Sequence, residues 1–232
     1  MDLPAFYHTE ISKGELILDE KEAHHAIKVM RLNKDDQLFL MDGKGTTGLA
    51  TIASIVKKEV RVNCHEVTQH DRRYKKIHLA IAPTKKWDRM SFLIEKLTEI
   101  GVAEITPIIC QNSEQRFWKE PKAQNVIIAA MKQSRNPFLP IIHPMIKFKD
   151  FINGSSENTF IAHCKEQDRI ALTPELYQNK KEACIVIGPE GDFTTEEISI
   201  AENSGVKSVT LGTTRLRTET AGLVSVIKML EI

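Results

Sequence analysis

Two hydrophobic periods divide this chain, and the switch between them limits the folds open to it more than any single motif does. Before the polar segment Gln69 to Lys76, apolar residues alternate in short runs: Gln37 to Asp42, Gly48 to Val56 and Val60 to Val67. Turn-forming residues separate them, Asp42-Gly43-Lys44-Gly45 and Lys57-Lys58-Glu59. Half-buried strands joined by tight turns give this pattern, and three or more of them predict a small barrel. One helix is expected over Glu20 to Met30, with Ala23, Ala26, Ile27 and Met30 on one face. After the polar segment, strands and helices alternate. Strands are predicted at 77–82, 105–110, 159–162, 183–187 and 208–211, and helices at 88–100, 123–134, 195–203 and 218–230. Strands spaced by helices imply a mainly parallel sheet covered on both faces. The expected organisation is therefore a β-rich domain over 1–70, a linker over 71–76 and an α/β domain over 77–232. Phe148 to Glu157 reads as a polar connection, and Pro137, Pro140 and Pro144 mark an extended stretch.

Composition narrows the classes of function. No run approaches the roughly 18 apolar residues of a membrane span, and no basic start followed by an apolar stretch opens the sequence, so a cytoplasmic protein away from membranes is expected. Cys64, Cys110, Cys164 and Cys184 are too scattered for a Cys-x-x-Cys pair and read as reduced, mostly buried thiols. A net charge of +1 decides nothing about nucleic acid, because local basic surface binds phosphate. Such a surface is available between Arg72 and Arg89, where Arg72, Arg73, Lys75, Lys76, Lys85, Lys86 and Arg89 face the single acid Asp88.

In an open parallel sheet, ligands bind where strands end in loops. Two such loops stand out. The first, after Cys184 to Ile187, reads Gly188-Pro189-Glu190-Gly191-Asp192-Phe193-Thr194. Its glycines let the backbone turn sharply and approach a ligand, and Thr194 with Glu197 has the spacing of a capping box. The second, after Val209 to Leu211, reads Gly212-Thr213-Thr214-Arg215-Leu216-Arg217-Thr218-Glu219-Thr220-Ala221 and opens the last helix. Either alone would pass as an ordinary strand-to-helix turn; the pair points to a concave polar site. A side chain at Gly188 or Gly212 is expected to block the ligand and leave the fold intact.

Gly188-Pro189-Glu190-Gly191, followed by Leu211-Gly212 and Leu216-Arg217-Thr218-Glu219-Thr220-Ala221, resembles the paired signature of the ribosomal RNA small subunit methyltransferase E family. Weaker matches run along the whole chain: His24-His25 with Val29-Met30-Arg31-Leu32, Asp42-Gly43-Lys44-Gly45, Glu95 to Val102, and Gln133-Ser134. The resemblance implies an α/β domain of the SPOUT class whose carboxy-terminal part is threaded into a trefoil knot, a PUA-like β-barrel before it, and a homodimer. It implies S-adenosyl-L-methionine as cofactor, held by Ile187, Gly188, Pro189, Glu190 and Gly191 from the first loop. Leu211, Gly212, Leu216, Arg217, Thr218, Thr220 and Ala221 hold it from the second. The implied substrate is N3 of a uridine in 16S rRNA of the small ribosomal subunit. Asp192 stands where a second glycine is common, and Asp tolerates positive φ better than most residues. Thr214-Arg215 departs from the usual order of an arginine followed by an aliphatic residue, and Ala5 stands where an arginine often precedes the aromatic pair Phe6-Tyr7.

The sulfonium carries the reactive methyl, so the chemistry requires no metal. The uracil N3 proton must leave: Arg217 is expected to stabilise charge developing on the uracil carbonyls, and Glu219 or Glu190 to help remove the proton. The target base must be unpaired or flipped, since its Watson–Crick edge is attacked. Arg31, Lys44, Lys85, Arg89 and Arg116 are the candidate RNA contacts. His24 and His25 are weaker candidates for RNA contact, since a paired histidine on an amphipathic helix is more often half-buried structure than a ligand, and they have no metal-ligand partners at suitable spacing. A catalytically silent RNA-binding adaptor is the main alternative. A Rossmann-type nucleotide enzyme lacks its fingerprint here, because no Gly-x-Gly-x-x-Gly follows a strand.

Overall fold

The computed structural model describes residues 3–72, 75–165 and 168–230. It divides into two compact units: Met1–Arg73 with Ile128–Leu139, and Tyr74–Ile127 with Pro140–Ile232. Arg73, part of the basic run noted above, lies outside the described residues.

The first unit contains β1 (Ala5–Tyr7), β2 (Gly14–Ile17), α1 (Glu20–His24), β3 (Gln37–Met41), β4 (Thr46–Val56) and β5 (Glu59–Gln69). The strands pair in the order β1-β3-β4-β5-β2, parallel only between β1 and β3. Alternate residues turn inward, so Leu38 and Leu40, Ala50 and Ile52, and Val60, Val62 and Cys64 share one core with Phe6, Ala23 and Ala26. The helix expected over Glu20 to Met30 is α-helical only through His24. It continues as a π-turn over His25–Val29, in which the Met30 N–H donates to the His25 carbonyl, and Arg31 then takes φ +54°. Asp19 caps the start by accepting from the Glu22 N–H at 2.7 Å. Segment 128–139 contributes Lys132, whose Nζ lies 2.7 and 3.0 Å from the two carboxylate oxygens of buried Glu22.

The second unit contains β6 (Lys76–Ile81), α2 (Trp87–Ile100), β7 (Glu104–Ile109), the start of α3 (Glu120–Ser134), β8 (Ile141–Ile142), β9 (Ile146–Lys147) and α4 (Phe148–Asn153). It ends with β10 (Thr159–Ala162), β11 (Ile170–Ala171), β12 (Glu182–Ile187), α5 (Thr195–Asn203), β13 (Lys207–Thr210) and α6 (Thr218–Leu230). All pairings are parallel, in the order β11-β13-β10-β12-β6-β7-β8, with β9 also on β7. In α2 the apolar positions Met90, Leu93, Ile94 and Leu97 are buried, and Gly101 at φ +91° ends the helix by donating to the Leu97 and Thr98 carbonyls. The stretch read as a polar connection, Phe148 to Glu157, instead begins with a helix. Phe148 and Ile152, four residues apart, are both buried, and that i, i+4 pair is enough to anchor one and a half turns to the sheet. Cys64, Cys110 and Cys184 are buried free thiols and Cys164 is exposed; burial pushes Cys184 up to about 12, which leaves it inert. Among the described residues no helix is long and apolar enough to cross a membrane.

Candidate active site

The strand order concentrates three loops at one edge. The chain leaves β10, returns as β12 on one side of it and then as β13 on the other, so the loops after β12 and β13 flank the residues that follow β10. Together they wall a cavity of about 570 Å³. Ile187 to Glu190, Leu211, Gly212, Leu216, Arg217, Thr218 and Ala221 lie on its wall, as the sequence led us to expect of a ligand site. Gly191 and Thr220, expected with them, do not. Thr220 is exposed on α6, and Gly191 faces Asn112, whose Cβ would lie 3.2 Å from an added methyl.

The two loops are built differently. A Cβ at Gly188 would come within 2.9 Å of the fully buried Phe193 ring, so this glycine is required by core packing. The expectation that a side chain there leaves the fold intact is therefore corrected. Asp192 adopts φ +61°, and its carboxylate fixes the turn from both oxygens, accepting from the Cys164 N–H at 2.8 Å and from the Phe193 N–H at 2.8 Å. The capping box is complete: Thr194 accepts from the Glu197 N–H at 3.2 Å, and Glu197 accepts from the Thr194 N–H at 2.9 Å. The other Glu197 oxygen accepts from the Gln111 N–H at 2.8 Å. At Gly212, by contrast, a Cβ would meet nothing within 4 Å.

The cavity wall also holds groups that sequence reasoning passed over. His163, just past β10, is 5% exposed, and neither ring nitrogen has a hydrogen-bond partner. Burial lowers its pKa below the usual imidazole value, with Arg169 adding to the effect and Asp192 opposing it, so the ring is neutral at pH 7. A buried polar group without a partner costs roughly 1–3 kcal/mol, a cost a hydrogen-bonding ligand would remove. Arg169 reaches back to donate to the His163 carbonyl. Only the position of His163 directly after an apolar run signalled its place, and that signal needs the strand order to be read.

The three catalytic candidates differ in setting. Arg217 is exposed on the wall at the start of α6. Glu190 is exposed there too, accepting from the Lys85 N–H at 3.3 Å. Glu219 lies behind the wall. One of its oxygens is 3.7 Å from Arg89 Nε, and the other is buried without a partner. Of the RNA-contact candidates, Arg89 alone lines the cavity. Lys85 and Arg116 sit on the neighbouring loops after β6 and β7, Lys85 paired with Glu114 at 3.0 Å and Arg116 donating to the Gln111 carbonyl at 3.2 Å. Arg31 and Lys44 belong to the first unit. Arg31 borders a shallow groove with Leu32 and Asn33, and Lys44 Nζ donates to the Thr9 carbonyl at 3.3 Å. The turn carrying Lys44 is packed: Cβ atoms at Gly43 and Gly45 would fall 2.5 Å from Leu139 and 2.6 Å from Phe138.

Comparison with known proteins adds to this geometry. The family described as RNA methyltransferase domain matches residues 71–230, and the RNA methyltransferase PUA domain matches residues 18–63. A ribosomal RNA small subunit methyltransferase E from Aquifex aeolicus is 31% identical over 230 residues, covering 97% of both chains. A crystal structure described as a probable rRNA-methyltransferase from Porphyromonas gingivalis superposes with a TM-score of 0.90 at 34% identity, covering 99% of each chain. The ribosomal RNA small subunit methyltransferase E of Neisseria gonorrhoeae, solved with S-adenosyl methionine bound, superposes with a TM-score of 0.86 at 27% identity, covering 99% of this chain and 98% of that one.

Proposed function

The chain belongs to the ribosomal RNA small subunit methyltransferase E family, and from that premise we propose that it methylates N3 of a specific uridine in 16S rRNA of the small subunit. The cofactor is S-adenosyl-L-methionine, which supplies the electrophilic methyl group when bound. The observation that carries this reading is the single cavity walled by both signature loops, with the two unpartnered nitrogens of His163 in its side. Such a wall fits a ligand with several hydrogen-bonding groups.

The residues divide the work as follows. The backbone around Gly188 and Gly212 and the ring of His163 bind and orient the cofactor. Arg217, exposed at the amino-terminal end of α6, stands where it can neutralise charge growing on the uracil carbonyls. Glu190 and Glu219 are the candidate acceptors of the N3 proton, and Arg89 Nε lies 3.7 Å from one Glu219 oxygen. Lys85, Arg89 and Arg116 offer phosphate contacts on the second unit, and Arg31 and Lys44 on the first. Our reading further includes a PUA-like barrel over 1–70, a linker over 71–76 and a SPOUT domain over 77–232 whose carboxy-terminal part forms a trefoil knot. It also includes pairing of two chains into a homodimer and action in the cytoplasm.

Reverse transcription across 16S rRNA tests the proposal, because a methyl on N3 abolishes Watson–Crick pairing and halts the polymerase. Small subunits from cells lacking the protein should lose one stop, and incubation with the purified chain and cofactor should restore it. Binding of ribosomal RNA without any restored stop would favour the silent adaptor.

A further inference from the structure

At the opposite edge of the same sheet, three residues with no part in the proposed reaction converge. His78 on β6 pairs in register with Glu104 on β7, and Glu104 pairs with Ile141 on β8. His143, two residues beyond Ile141, therefore returns to the same face, and its N–H donates to the Ile105 carbonyl at 2.9 Å. One imidazole nitrogen of each histidine and one Glu104 oxygen lie within 4.8 Å of one another. The backbone register thus places three donors of metal-binding type on adjacent strands.

An isolated hydrogen bond would explain part of this arrangement, since His143 Nε2 is 2.7 Å from Glu104 Oε2. It would not explain why His78 is held facing them. That ring is fixed by Thr106 Oγ1 at 2.7 Å from its Nε2 and by the Phe151 ring edge-on at 5.6 Å, and it lies 5.4 Å from the His143 ring. Supports of this kind, a polar partner on a ligand ring and a packed aromatic beside it, are what orient ligands around a metal. The set is two imidazoles and one carboxylate, which suits zinc and its neighbours; magnesium and calcium take all-oxygen sites. Tetrahedral zinc, with bonds of about 2.0–2.1 Å, holds its donors about 3.3 Å apart. Glu104 and His143 need to part by about half an ångström and His78 to close in, within the reach of side-chain torsions. All three residues are half-buried, so solvent can supply a fourth ligand.

We propose that His78, Glu104 and His143 form a binding site for one divalent zinc-type ion, which pins β8 to β7 and β6. The site sits at the amino-terminal ends of β6 and β7, whereas the cavity lies beyond the carboxy-terminal ends of β10, β12 and β13, so the ion takes no part in methyl transfer. β8 has only two residues, and a cross-link there stabilises the sheet edge by favouring the folded state over the unfolded one.

Full-length protein stripped with a chelator and dialysed should bind one equivalent of Zn²⁺ by calorimetry, with a rise in melting temperature. Co²⁺ should give visible d–d absorption without the near-ultraviolet band of thiolate ligation. His78→Ala and Glu104→Gln should each weaken Zn²⁺ affinity at least about tenfold. His143→Gln, at the most exposed of the three positions, serves as the variant least able to disturb folding, and it should do the same with an unchanged circular dichroism spectrum. Cofactor affinity should be equal with and without Zn²⁺. Absence of stoichiometric binding, affinity unchanged in His143→Gln, or a thiolate band that assigns the ion to cysteine would each overturn the site. None of these results bears on the methyltransferase reading.

Discussion

The loop over residues 188–193 and the loop over 212–217 border one cavity and look alike in sequence, yet only the first is part of the protein core. In the first, Gly188 is pressed on Phe193, both Asp192 oxygens hold backbone N–H groups, and Asn112 donates to the Gly191 and Asp192 carbonyls at 3.2 and 3.0 Å. In the second, the Thr210 hydroxyl donates to the Gly212 carbonyl at 2.9 Å, Gly212 faces open space, and Arg215 and Arg217 are exposed. Glycine at equivalent places thus answers two demands, close packing in one loop and room for a ligand in the other. The first loop should matter for stability as well as for the site it lines, whereas the second should matter mainly for binding and catalysis.

Three substitutions probe that division. The largest effect should come from Arg217→Ala, because a donor aimed at developing charge is typically worth about 10²–10³ in turnover. Single-turnover methylation at saturating RNA should show that loss with the melting temperature unchanged; a stability loss without a rate loss would reverse the assignment. Gly188→Val should act the other way. Overpacking against Phe193 costs about 1–3 kcal/mol, or about 2–4 °C in melting temperature for each kcal/mol in a chain of this size. If calorimetric melting is unchanged while cofactor binding collapses, the first loop serves the ligand and not the packing of the core. Gly212→Val should be milder. Gly212 has φ +157°, a backbone conformation that residues with a side chain rarely adopt, so a valine is strained there even though nothing packs on it. Titration should show cofactor affinity reduced about tenfold, some 1.4 kcal/mol, with a smaller fall in melting temperature than in Gly188→Val.

What could be read beforehand follows the same line between local and non-local causes. Helix α5 was predicted at its observed bounds because Thr194 and Glu197 carry the start signal within four residues, and α6 because its loop ends in Thr218-Glu219 before an apolar run. β1 and β2 carry no local signal. Each is three or four residues long and is a strand only because β3 or β5, tens of residues away, pairs with it. α4 has a local sign in Phe148 and Ile152, but the polar residues around them mask it. Both signature loops were legible, but His163 was not, since its place between them depends on β12 and β13 flanking β10. His78, Glu104 and His143 are spaced like no metal motif, and only strand register brings them together.

The smallest predicted effect is also the one that divides the comparison most finely, because His163 touches the territory of both loops. Burial lowers its folded pKa below 6.5, the ordinary imidazole value. Between that lowered value and 6.5 the unfolded chain binds more protons than the folded one, so stability is complete above about pH 6.5 and is lost as pH falls through this interval. A full one-proton slope is about 1.4 kcal/mol per pH unit, and a single partly protonated histidine contributes less than that. His78 and His25 are lowered by burial in the same sense, so the His163 share must be taken as the difference between wild type and His163→Gln in melting temperature from pH 7.5 down to about pH 5.5. If His163 belongs with the packed loop, that difference appears in the free protein and the cofactor leaves it unchanged. If its two open nitrogens serve the ligand, the cofactor holds the ring neutral, and affinity itself falls as pH drops through the lowered folded pKa in wild type but not in His163→Gln. The lack of any partner for either nitrogen favours the second outcome, which would place the boundary between core and binding surface at the end of β10 and not within the Gly188 loop.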